Sequence, residues 1–172
     1  MRCCCTVEQM FPVEFTEIAR DGGARAGIAA THRGTYSTPC FMPVGTRGAI
    51  KYLSAADYEQ LGAQIVLGNT YHLALRPGVE VLNTLGGMHT MAKWRRSILT
   101  DSGGFQIFSM LAGSLDLDQE VGLKGAGTKK RESLLVKVNR DGALFRSYRD
   151  GSLHLVTPES SARAQKKLGA DI

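Results

Sequence analysis

Asp101 opens the run richest in chemistry, Asp101-Ser102-Gly103-Gly104-Phe105. A carboxylate can accept a proton or bind a ring N–H. The two glycines leave the main chain bare, so a flat ligand can come close and receive hydrogen bonds from the amides. The same residues have a second reading, in which Asp101 caps a turn or the next helix and Gly103-Gly104 supply unusual backbone angles. Spacing alone leaves both open. Phe105 and Phe108 lie three apart beside Ile107, Met110 and Leu111, the pattern of an apolar helix face. One such ring at the mouth of a site would stack on a base. Asn69-Thr70 is a second polar pair, with His72 three residues after Asn69. No second His or Cys completes a metal set there, so His72 reads as a structural histidine.

Two other chemistries fail on context. Asp-Ser-Gly-Gly also surrounds the nucleophile of chymotrypsin-like proteases, but with glycine before the Asp and proline after the second glycine. Here those positions hold Thr100 and Phe105, and the upstream histidine motif is missing. Gly122-Leu-Lys-Gly-Ala-Gly127 neither follows a strand nor has the Walker spacing of a phosphate loop.

The elements that must position these residues alternate. Residues 13–18 and 26–31 read as strands around the turn signal Asp21-Gly22-Gly23. Residues 34–39 read as another turn, leading into a buried apolar strand at 40–44. Ser54 is an N-cap for a helix through Leu61, with Gly62 as its stop. Residues 64–68 read as a buried parallel strand. A helix carrying Val79, Leu82 and Leu85 runs to Gly86-Gly87, and 98–100 form a third strand. This βα rhythm predicts a parallel sheet, doubly wound or closed as a barrel. Gly45-Thr46, Asn69-Thr70 and Asp101-Ser102 all follow strands, on the face where parallel α/β folds place their sites.

Further on, Gly113-Ser114, Gly122, Gly125, Gly127 and Lys129-Lys130-Arg131 read as a flexible basic insertion over about 113–133. Asn139-Arg140-Asp141-Gly142 is a hairpin turn, Asp150-Gly151 a second, and 153–156 a strand. Thr157-Pro158 opens a helix that Gly169 ends, and Asp171-Ile172 would begin another strand.

Composition bounds the class. At 172 residues, 43% hydrophobic and 22% charged, the chain suits one ordinary globular domain and not a disordered one. The net charge of +5 suits a partner that carries phosphates. Cys3, Cys4 and Cys5 are contiguous and lack metal-ligand spacing, so they read as free thiols on a ragged N-terminus at 1–11. With no apolar run of membrane-spanning length, the chain is expected to be cytoplasmic.

The motifs then resemble those of one family. Phe41-Met42-Pro43-Val44-Gly45-Thr46, Leu67-Gly68-Asn69-Thr70-Tyr71-His72-Leu73, Leu75-Arg76-Pro77-Gly78 and Leu99-Thr100-Asp101-Ser102-Gly103-Gly104-Phe105-Gln106 are similar to signatures of tRNA-guanine transglycosylases. So are Phe145-Arg146-Ser147, Asp150-Gly151 and Leu168-Gly169-Ala170-Asp171-Ile172, in the family's order over residues 12–172. Details resemble the queuine or pre-queuine branch.

The resemblance implies an α/β fold: the N-terminal part of a TIM-type (β/α)8 barrel, entered through a small antiparallel sheet and truncated before the fourth barrel strand is complete. It implies exchange of anticodon guanine in tRNA for queuine or a precursor, by double displacement at ribose C1′. Asp101 then resembles the carboxylate that handles protons on the departing and arriving base. Ser102, Gly103 and Gly104 resemble the base-binding segment, Phe105 the stacking aromatic, and Asn69 a support for Asp101. The family's zinc ligands, its nucleophilic Asp and a second base-recognising Asp would all lie past residue 172, so the chain alone is expected to be inactive and poorly folded. The resemblance also suggests a homodimer, or a heterodimer with a related subunit. A non-catalytic partner subunit and an inactive fragment are the alternatives.

Overall fold

A computed structural model describes residues 13–111 and 134–172. The sequence expectations for 1–11 and for the insertion at 113–133 therefore fall outside the described residues. Among the described residues, three small three-stranded sheets and six helices make a mixed α/β structure.

The first sheet is antiparallel and holds β1 (Glu14–Asp21), β2 (Ala24–Thr31) and β3 (Gly34–Thr38). Gly22, at φ 56°, makes the β1–β2 turn in the left-handed region that favours glycine. The run at 34–39 was expected as a turn. Instead it pairs with β2 from Gly34 to Thr38, and the reversal falls one step earlier, at His32-Arg33. There the Thr31 hydroxyl accepts from the Arg33 amide at 3.0 Å, closing the turn by a side chain.

The second sheet is parallel, in the order β4 (Val44–Gly45), β5 (Ile65–Gly68), β6 (Ser97–Thr100). The expected buried strand at 40–44 shrinks to two residues. Phe41 is 83% exposed and Val44 is 50% exposed, while Cys40 and Met42 pack against the buried Ala29, Tyr36 and Ile65, so only one side of this run meets the core. Between β4 and β5 lies α1 (Ala55–Gln60), begun by a complete capping box between Ser54 and Asp57. Between β5 and β6 come three short helices: α2 (Thr70–Leu75), α3 (Val79–Thr84) and α4 (Gly87–Ala92). The sequence reading had only the middle one. Gly86-Gly87, read as a stop, joins α3 directly to α4, with both residues at positive φ.

After β6, α5 (Gly104–Leu111) leads away. The third sheet, β7 (Leu135–Val138), β8 (Ala143–Arg146) and β9 (Leu153–Val156), is a pair of hairpins at the two predicted turns. Helix α6 (Pro158–Leu168) has Thr157 as its N-cap and Gly169, at φ 78°, as its C-cap, as the sequence indicates. Beyond it, Ile172 lies along β6: its amide donates to the Ile98 carbonyl at 3.3 Å, and its carbonyl accepts from the Thr100 amide at 3.0 Å.

The core lies between the parallel sheet and its helices. Leu73 of α2, Leu82 of α3, Met88 of α4, Trp94, Ile98 of β6 and Leu168 of α6 meet there, all fully buried. Each such side chain contributes about 1.5–3 kcal/mol by leaving water. The end of the Met88 side chain lies over Gly68 of β5, where an added Cβ would push it aside. The polar residues stand at the carboxyl end of the β5–β6 pair.

Candidate active site

Parallel pairing matches Gly68 to Thr100, so the next residue on each strand, Asn69 and Asp101, stands beside the other. Asn69 is the N-cap of α2: its Oδ1 accepts from the His72 amide at 3.1 Å. That bond fixes the side chain and leaves its amide group facing Asp101. Nδ2 donates to Asp101 Oδ2 at 2.7 Å. The backbone amide of Thr70, first residue of α2, donates to Asp101 Oδ1 at 2.8 Å. The Thr70 hydroxyl donates to the Asp101 carbonyl at 2.6 Å. Asn69 and Thr70 are both buried, and Asp101 is half-buried.

Each carboxylate oxygen of Asp101 thus receives one short hydrogen bond and keeps lone-pair capacity for another donor. Asp101 is therefore no cap of its own helix. It is held from the neighbouring strand end, with an open side for a ligand N–H or a proton. The sequence reading named Asn69-Thr70 as a polar pair but gave only Asn69 a role toward Asp101. The signal for Thr70 was available, because the residue after an N-cap Asn presents one of the free amides of a helix start.

The segment after Asp101 is split in exposure. Gly103 is buried at φ 76°, and Ser102, Gly104 and Phe105 are exposed, Phe105 to 70%. Ser102 Oγ accepts from the Gly104 amide at 3.3 Å and starts α5. The Phe105 ring is thus free to meet a partner outside the described residues. The side chain of Phe108 is not described. Behind Ser102 and Gly103 lies a cavity of about 150 Å³, bordered by Tyr71, Ile107, Phe145 and His154. Burial, and next the charge of Tyr148, pushes the Tyr71 phenol far above its usual range. Its hydroxyl is buried and has no hydrogen-bond partner among the described residues. His72 packs edge-on against Tyr71 at 5.1 Å.

Comparison with known proteins decides the family. Residues 21–172 match the family described as Queuine tRNA-ribosyltransferase. The chain belongs to the queuine tRNA-ribosyltransferase family. It is 50% identical over 149 residues to the queuine tRNA-ribosyltransferase of Roseiflexus sp., covering 87% of this chain and 36% of that protein. It is 45% identical over 162 residues to the one from Syntrophobacter fumaroxidans, covering 93% and 38%. It is 44% identical over 162 residues to the one from Protochlamydia amoebophila, covering 94% and 41%. The chain therefore spans well under half the length of these queuine tRNA-ribosyltransferases.

Among the described residues no group of three or more His, Cys, Asp or Glu side chains could hold a metal ion. Cys40 is a half-buried free thiol whose burial pushes it up from the usual thiol range. No helix among the described residues is long and apolar enough to cross a membrane.

Proposed function

We propose that this chain carries the base-handling side of a tRNA-guanine transglycosylase. Its parallel sheet is read as the first three strands of a (β/α)8 barrel, with Asp171-Ile172 beginning the fourth. The parallel order β4-β5-β6 and the two main-chain bonds between Ile172 and β6 support that reading. The antiparallel sheet β1–β3 is the small entry sheet.

One observation carries the function: Asp101 is fixed by Asn69 and Thr70 at the carboxyl end of the sheet, directly before a Ser-Gly-Gly-Phe segment whose Ser102, Gly104 and Phe105 are exposed. In the exchange, a nucleophilic carboxylate from elsewhere in the enzyme forms a bond to ribose C1′. The C1′–N9 bond breaks and its electron pair goes to guanine N9. Asp101 passes a proton to the departing base. It then takes the proton that the incoming 7-deazaguanine loses as that base attacks C1′ and releases the carboxylate. Ser102, Gly103 and Gly104 receive the base edge and Phe105 stacks on its face. Asn69 and the Thr70 amide hold the carboxylate in line through both half-reactions. The net charge of +5 favours the tRNA phosphates.

The test is incorporation of radiolabelled guanine into tRNA that bears guanine at the anticodon wobble position. It compares this chain and the longest polypeptide containing it, each as wild type and as Asp101→Ala. Exchange by the wild type and none by Asp101→Ala supports the reading. Full exchange by Asp101→Ala removes Asp101 from the mechanism. Tight tRNA binding with no exchange in any form supports a non-catalytic partner subunit instead.

A further inference from the structure

Asp101 is held from one side by α2, but its two sequence neighbours are held from the other side by α6. The Thr100 hydroxyl donates to Gln165 Oε1 at 3.1 Å. Gln165 Nε2 donates to Ser161 Oγ at 3.3 Å, one helical turn back. The Ser161 hydroxyl donates to the Ser102 carbonyl at 2.8 Å. These three bonds form one directed chain, from the residue before Asp101 to the residue after it, and every hydroxyl and amide in it has a defined sense. Gln165 Nε2 also reaches the Ser161 carbonyl at 3.4 Å, which limits the rotation of its amide.

The arrangement is built, not incidental. A strand end followed by two glycines has few local restraints, and Gly103 sits at φ 76°. From α2, the Thr70 hydroxyl holds the Asp101 carbonyl. From α6, the strap grips the Thr100 side chain before Asp101 and the Ser102 carbonyl after it. Helix α6 is itself anchored, because its Leu168 is fully buried in the core and Thr157 caps its start. Gln165 and Ser161 touch neither the Asp101 carboxylate nor the exposed face of the segment, so their effect passes through the backbone.

We propose that Ser161 and Gln165 are positioning residues for base exchange, setting the backbone on either side of Asp101. This rests on the proposed role of Asp101. Loss of the strap leaves the Asp101 carboxylate held by Asn69 and Thr70 and lets Ser102, Gly103 and Gly104, the segment read as receiving the base, shift against it. A displacement of about 1 Å at a reacting group can cost around a hundredfold in rate, so partial loosening is expected to cost about tenfold.

Two measurements test this, on Ser161→Ala, Gln165→Leu and the hydroxyl-retaining Ser161→Thr. The first is amide hydrogen exchange on the 172-residue chain. Ser161→Ala and Gln165→Leu should speed exchange at Ser102, Gly103 and Gly104 about tenfold and leave Ile98 and Leu99 unchanged, with Ser161→Thr close to wild type. Unchanged rates at 102–104, or equal acceleration throughout β6, would overturn the proposal. The second is guanine exchange in the longest polypeptide containing this chain, with Asp101→Ala alongside. The strap variants should lose about tenfold in kcat with KM for tRNA within about twofold, and Ser161→Thr should restore it. If Asp101→Ala is dead and both strap variants run at wild-type kcat, the strap has no role though Asp101 does. If Asp101→Ala is fully active, the reading of Asp101 fails, and amide exchange alone decides whether the strap sets the loop.

Discussion

Gly103 packs against Tyr71: a Cβ added at Gly103 would lie 3.2 Å from the Tyr71 Cβ and 3.4 Å from its amide nitrogen. Gly103 also holds φ 76°, in the region costly to other residues. Replacement by alanine therefore meets both strain and crowding, and should destabilise the chain by about 1–3 kcal/mol. The measurement is thermal melting followed by the fluorescence of Trp94, the single tryptophan. A Gly103→Ala protein that melts with wild type would show that the loop can move away from α2.

Asn69 does two things at once, capping α2 and donating to Asp101. Asn69→Asp keeps a capping oxygen but sets a second carboxylate where the donor was, 2.7 Å from Asp101 Oδ2. Asn69→Ser keeps a cap without that repulsion. Base exchange should fall at least tenfold in Asn69→Asp and less in Asn69→Ser, while both keep α2 by circular dichroism. Equal activity in the two would mean that the cap, and not the contact with Asp101, is what matters.

Asp171 predicts an acid limb of stability. Its carboxylate is buried and accepts from His89 Nε2 at 3.0 Å, the Ile98 amide at 2.8 Å and Arg33 Nε at 2.9 Å, with His32 Nε2 at 3.2 Å. Burial pushes this carboxyl up, but the hydrogen bonds from His89 and Ile98, the His89 charge and the Arg33 bond outweigh it and leave it below the usual carboxylate range. A folded value below the unfolded one, about 3.9, means a contribution fully present above that pH and lost as pH falls through the folded value. Stability should thus drop below about pH 4. In Asp171→Asn that share of the drop should vanish, with a lower melting temperature at neutral pH. An unchanged acid limb in urea titrations of the variant would exclude Asp171 as its source.

Leu82→Ala removes a fully buried side chain from the meeting point of α3 with the core. It should cost about 2–5 kcal/mol, read as a lower urea midpoint. A loss under about 0.5 kcal/mol, the scale of a surface change, would mean that this helix is not docked as described.

Strong local chemistry made parts of the fold legible. Ser54 with Asp57, and Thr157 with Pro158, carry their helix starts in four residues or fewer, and both helices begin where the sequence says. The Asn139–Gly142 turn did the same for β7 and β8. The misses have a common cause, which is context that no window contains. Asn69 directly abuts β5, so a six-residue helix was hidden behind a strong strand pattern. Gly86-Gly87 signals a stop, yet Gly87 packs on the Leu168 carbonyl, where an added Cβ would lie 2.9 Å away, and α4 starts there. The run 40–44 is apolar enough for a core strand, but its ring faces out. At the site, Asp101, Ser102–Phe105 and Asn69 could be named from residue types and family motifs. Thr70 was named only as the polar neighbour of Asn69, and Ser161 and Gln165 could not be named, because their contacts to the Asp101 segment span 59 and 65 positions.

That last separation has a consequence for how the protein is made. A ribosome adding about 5–20 residues per second needs roughly 3–13 s to get from Thr100 to Gln165. During that interval the nascent strand end already bears Asp101, and the helix that straps it does not yet exist. Vectorial synthesis thus orders the assembly: the α2 grip on Asp101 can form first, and the α6 grip closes only when the last dozen residues of this sequence have emerged.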